Sequence, residues 1–75
     1  MKAKDLLREI VKAYPDVVAI ARDENKSVYL YSFEIPKRVF LTWDSNSNSD
    51  YFSHQNIIEW DSENWKENIV TINDL

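Results

Sequence analysis

The side chains able to do chemistry are few, and their spacing argues against most reactions. His54 is the only histidine, flanked by Ser53 and Gln55. A nucleophile and its base meet through side chains oriented by a third group, which immediate sequence neighbours seldom achieve. There is no Cys, so a zinc site would need one His and scattered carboxylates, an unusual donor set. Asp44, Asn46, Asn48 and Asp50 place oxygens at alternate positions, as a calcium loop does. The sixth position, however, is Ser49 where the sharp turn wants Gly, and the twelfth is Gln55 where a bidentate Glu is needed. No catalytic residue, metal ligand or cofactor site is assigned.

The aromatic residues carry more. Tyr29, Tyr31 and Phe33 alternate along one run, the spacing that puts side chains on one face of a strand. Such a face is a stacking platform in single-strand nucleic-acid binders, where nearby cations follow the backbone. Lys37 and Arg38, with Lys26 and Arg22, are the cations at hand. The same alternation also suits sheet packing or a dimer-forming face. Trp43, Trp60 and Trp65 either pack together or project as anchors for a partner, since aromatic side chains dominate contact energetics at interfaces. Tyr29, Tyr31, Phe33, Trp43, Trp60 and Trp65 are thus the candidate interface or binding residues.

The elements that must position these residues are legible in order. Ala3, Leu6, Leu7, Ile10 and Tyr14 recur at helical spacing and predict one amphipathic helix over Lys2 to Tyr14, stopped by Pro15. Val17–Ala21 and Val28–Phe33 read as a hairpin rich in β-branched and aromatic residues. The chain contains no Gly, so any left-handed turn position should fall to Asn, and Asn25 is the expected holder in this hairpin. Asn46, Asn48, Asn64, Asn68 and Asn73 are the other candidates. Val39–Trp43 reads as a third strand beside the second, giving strands over 17–22, 27–34 and 38–43. Residues 54–60 fit either a fourth strand or an irregular segment. A helical turn through Trp65 and Lys66 should be capped by Asp61 or Ser62, and 73–75 should fray.

Both faces of the hairpin are apolar, whereas a sheet wetted on one side would carry polar residues there. One helix covers one face. The other needs the C-terminal segment, a second subunit or a ligand.

The expected fold class is α+β: a single domain, 1–75, with the helix packed on a small antiparallel sheet of three to four strands. At 75 residues such a chain buries only about 60% of the surface its unfolded form exposes. Without disulfides or metal, a homodimer is one remedy. An apolar content of 44% is enough for a core and argues against disorder. No apolar run approaches a membrane span and the opening residues lack a signal-peptide core, so a cytoplasmic protein with no membrane association is expected. Residues 1–43 hold eight Lys and Arg against six Asp and Glu, while 44–75 hold Lys66 alone against seven acids. That acidic half makes unspecific nucleic-acid binding unfavourable and would steer the protein toward a basic partner surface.

The strings VVAIARDEN and SVYLYSF, then Pro36, a strand ending in Trp43, and NWKEN followed by apolar residues resemble small phage and prophage proteins. In particular they resemble the YopT family of Bacillus prophage proteins. The resemblance implies one helix followed by three strands, a homodimer and no catalytic residues. The expected function is accordingly that of a non-enzymatic accessory protein acting on a host or phage protein partner. A single-stranded nucleic-acid binder is the alternative.

Overall fold

A computed structural model describes residues 1–75. Helix α1 (Ala3–Ala13) is followed by β1 (Val17–Arg22), β2 (Val28–Ser32), β3 (Lys37–Val39), β4 (Thr42–Asp44), β5 (Ser49–Tyr51) and β6 (Ile69–Thr71), with three short 3-10 turns in the second half. The class is α+β. Four antiparallel strands in the order β5-β2-β1-β6 form the main sheet, and β3-β4 form a separate two-stranded hairpin.

Helix α1 exists because its apolar stripe has a sheet to cover. Ala3, Leu6 and Leu7 are buried, and Ile10 and Val11 pack at the margin. Its outer face carries the ion pairs Asp5–Arg8 at 2.9 Å and Glu9–Lys12 at 3.1 Å, exposed pairs worth only ~0.2–0.5 kcal/mol each. Tyr14 leaves helical geometry at φ −130°, as the clash with the following Pro15 requires.

The strict alternation expected of β1 is broken once. Val17 pairs with Ser32 and Ala19 with Tyr31, leaving Val18 as a β-bulge. An extra residue shifts the phase of everything before it. Val17 therefore joins Ile20, Val28, Leu7 and Ile58 in the cluster beneath the helix, while Ala19, Ala21 and Tyr31 form a second cluster on the opposite face. Both faces of the sheet are indeed apolar, and both are covered.

The second face is covered from within the chain. The expected continuous strand over 38–43 does not form: the chain folds back at Phe40-Leu41, pairing Val39 with Thr42 and Lys37 with Asp44. Only β1 and β2 sit where the three-strand reading put them. The resulting β3-β4 hairpin lies on the second face and packs Trp43 onto the floor made by Ala19 and Ala21. Small side chains there give the indole room. The structure thus supplies cover that had been one reason to expect a second subunit.

The edge strands come from unexpected places. The polar loop residues Ser49–Tyr51 pair with β2, and Ile69–Thr71 pair with β1. Residues 54–60 are irregular, holding a 3-10 turn at Gln55–Ile57 and one bridge from Glu59 to Lys2. Phe52 packs on the core while Tyr51 stays outside, edge-on to Tyr29 at 5.6 Å. The turn at Trp65–Glu67 is capped by the Asn64 side chain, not by Asp61 or Ser62. The last residues do not fray. Thr71 and Asp74 form a reciprocal capping box, with Asp74 Oδ2 accepting from the Thr71 N–H at 2.8 Å.

No Asn holds a left-handed position. The three positive-φ residues are Lys26 (72°), Phe33 (70°) and Phe40 (40°). Asn25 instead accepts the Ser27 N–H through Oδ1 at 3.0 Å, the local side-chain turn that Asn makes well, and the left-handed residue is its neighbour. Lys26→Gly should therefore raise stability by about 0.5–1 kcal/mol in urea denaturation by relieving the Cβ clash. Asn25→Gly should lower it, because the Ser27 N–H loses its acceptor.

Candidate functional site

The six candidate aromatics are divided by the fold into three environments. Tyr31 is only 2% exposed, so the Tyr29–Tyr31–Phe33 platform does not form. Phe33 leaves the strand at positive φ after β2 has ended, and Tyr29 is half-buried against Tyr51. Trp43 and Trp65 meet edge-to-face at 6.5 Å, with Trp43 Nε1 donating to the Trp65 carbonyl at 3.4 Å. Trp60 lies apart, packed on the helix-side cluster, with the Arg22 guanidinium 5.8 Å from its ring centre. Five of the six rings therefore serve packing inside the chain, and Phe33 alone is turned to solvent.

Trp43 is held by side chains of the main sheet as well as by its own ring. Its N–H donates to Asp23 Oδ1 at 2.8 Å, and its carbonyl accepts from the Tyr31 hydroxyl at 3.0 Å. Trp43 is opposite Arg38 in the hairpin register, and both its main-chain groups are spent on the main sheet instead of on β3. Asp23 is itself buried. It sits in the β1–β2 turn, where its carbonyl accepts from Lys26 N–H at 2.9 Å. The left-handed Lys26 thus closes the turn that aims the carboxylate at Trp43.

What this clamp presents is the tip of the β3-β4 hairpin. Val39, Phe40 and Leu41 are all exposed, Phe40 at 88%. With positive φ at Phe40 and not at Leu41, the two-residue loop has the sign pattern of a type II′ turn, whose first position normally belongs to Gly. The Leu41 carbonyl accepts from Glu24 N–H at 3.4 Å, leaning the tip on the β1–β2 loop. Lys37 and Arg38 lie on the exposed strand behind it.

Phe40 escapes sequence reading because it sits inside what looks like a continuous apolar strand. The one signal would have been its company: two cations, then three apolar residues, in a run that ends two residues before the polar stretch 44–50. His54 packs edge-on to Phe52 at 6.1 Å. Asp44 ends β4 and Asp50 lies within β5, so the alternating oxygens of 44–50 are parted between strands of two sheets. No group of three or more His, Asp and Glu is arranged to hold a metal ion, and no helix is long and apolar enough to cross a membrane.

Set against family models, curated proteins and solved structures, the chain matches none.

Burial holds the Tyr31 phenol well above its usual range, with the Asp23 and Asp44 carboxylates adding to the effect. A phenol raised in the folded state contributes stability that is complete below its unfolded value of about 10 and is lost as pH climbs beyond it. Urea denaturation followed from neutral pH into the alkaline range should show that decline, and Tyr31→Phe should flatten it at a cost of about 1 kcal/mol at neutral pH. Asp23→Ala leaves the Trp43 N–H without an acceptor and should cost about 1–3 kcal/mol in the same assay.

Proposed function

We propose that the chain is a small non-enzymatic interaction module, a cytoplasmic accessory protein of the phage or prophage kind that its residue strings resemble. Its binding element is the hairpin tip Val39–Phe40–Leu41, which engages another protein. The observation that carries this reading is the pairing of backbone strain with exposure at the two Phe residues. A bulky residue at positive φ is a genuine outlier, costing roughly 1–3 kcal/mol, and in a folded chain that cost is commonly offset by what the side chain packs against. Phe33 is 63% exposed and Phe40 88%. Neither ring recovers the cost within the chain.

A side chain of this size in a position suited to Gly makes sense where its contact lies outside the molecule. Exposed apolar groups on a braced scaffold are what protein interfaces use as anchors. The aromatic-face reading for single-stranded nucleic acid has less to stand on, because Tyr31, its central ring, is covered by Trp43.

The reading separates stability from binding, and a single substitution tests both. Phe40→Gly should raise the melting temperature by relieving the turn, and it should abolish the capture of a specific partner from host extract by the immobilised chain. Capture that survives Phe40→Gly and Leu41→Ser together would remove the tip from the role.

A further inference from the structure

Apart from the hairpin tip, a groove of ≈ 390 Å³ opens where the start of α1 meets the segment 59–62 and the edge strand β6. That volume suits a small molecule, toward the lower end of the range of about 300–1,000 Å³ for ligand sites. Trp60, Ile69 and Val70 supply its apolar wall, and none of its lining residues belongs to β3 or β4.

One buried polar atom in the groove lacks a partner. Asn68 lines the groove and is 1% exposed. Its main-chain N–H donates to the Trp65 carbonyl at 3.0 Å, its main-chain carbonyl accepts from Arg22 N–H at 2.9 Å, and its Nδ2 donates to the Ser62 carbonyl at 2.8 Å. Oδ1 is the one group left, and nothing in the chain donates to it. A buried acceptor in that state carries its full desolvation penalty until a donor reaches it. Oδ1 is therefore what Asn68 offers to an occupant of the groove. Arg22 Nε, the other buried atom without a partner, belongs to the guanidinium beside Trp60 and does not line the groove.

Most charges around the groove are spent. Lys2 is paired with Asp61 at 2.9 Å, Glu59 with the Met1 amino group at 3.4 Å and Asp5 with Arg8 at 2.9 Å. Lys4 and Glu67 line the groove and take part in no ion pair. Lys4 also stands in the first turn of α1, where Lys2 provides no side-chain cap and the first helical bond runs from Leu6 N–H to the Lys2 carbonyl. The Lys4 N–H thus has no acceptor within the helix, and it adds to the positive end of the helix dipole. What stays unmet is one positive locus at Lys4 and one negative locus at Glu67, next in sequence to the orphaned acceptor.

We propose that this groove binds a free α-amino acid with an apolar side chain. Its carboxylate takes the start of α1 and Lys4, its ammonium donates to Asn68 Oδ1 with Glu67 as counter-charge, and its side chain lies against Trp60 and Val70. A simple anion would leave Oδ1 without a donor, and a simple amine would leave the helix start without an acceptor. The zwitterion satisfies both.

Isothermal titration of the full chain with L-leucine tests this, beside leucine methyl ester, which lacks the carboxylate, and isocaproate, which lacks the amine. Leucine should bind saturably and shift the amide NMR signals of Lys4, the Trp60 indole and the Asn68 side chain. Each analogue should bind roughly tenfold more weakly, the loss of one charge-assisted contact. Lys4→Gln and Glu67→Gln lie at exposed positions; both should keep the wild-type melting temperature and weaken leucine binding about two- to fivefold, as loss of an exposed ion pair does. Asn68→Ala should abolish binding. Because it also removes the bond to Ser62, the two exposed variants carry the test if it fails to fold. An absence of heat and of shifts at tens of millimolar leucine overturns the proposal, as do equal affinities for leucine and both analogues, or binding that neither exposed variant weakens. Phe40→Gly should leave leucine binding unchanged, so the groove and the hairpin tip are read apart.

Discussion

The architecture depends on one pair of hydrogen bonds: Asp23 accepting the Trp43 N–H and Tyr31 donating to the Trp43 carbonyl. A two-stranded hairpin of three residues a side is not stable by itself in water. β3-β4 persists because both main-chain groups of its central residue are bound to the main sheet and its indole lies on Ala19 and Ala21. These contacts close the second face of the sheet and, through the same hairpin, hold Phe40 out in solvent. Core and exposed hairpin tip thus share one anchor. A buried carboxylate costs free energy unless its acceptors are used, and here the Trp43 N–H uses one of them.

Much of the scaffold follows from local rules. The helix is set by its apolar spacing and by Pro15, and the β1-β2 hairpin by two β-branched runs on either side of a polar loop. That both faces of this hairpin need cover was also legible, because polar residues were missing from both. The source of the cover was not. Val39–Trp43 reads as one strand because nothing in it looks like a turn, and the fold-back at Phe40-Leu41 places a bulky residue where Gly normally goes. Turn chemistry inferred from residue type fails when tertiary contacts on either side dictate the turn.

The other misreadings share that cause. β5 arises in a Ser- and Asn-rich segment because an exposed edge strand of three residues needs main-chain partners more than apolar alternation. The Val18 bulge is invisible to a period-two pattern, since Val suits either face. Asn25 was the natural holder of positive φ, yet its side chain is worth more as an acceptor for Ser27, and the conformation passes to Lys26. Among the candidate aromatics, spacing alone could not separate rings that pack from rings that project. Tyr31 and Phe33 look equivalent in sequence and end at opposite extremes of exposure.

The absence of glycine acts also on the chain before it folds. Every residue carries a side chain that narrows its backbone freedom, so the unfolded ensemble has fewer conformations to give up than an average chain of this length. For a domain of 75 residues without disulfides, that smaller entropy loss counts toward stability alongside the packed core. The left-handed turns at Lys26, Phe33 and Phe40 are the enthalpic counterpart of the same composition: strain confined to three positions, set against a loss of disorder reduced along the whole chain.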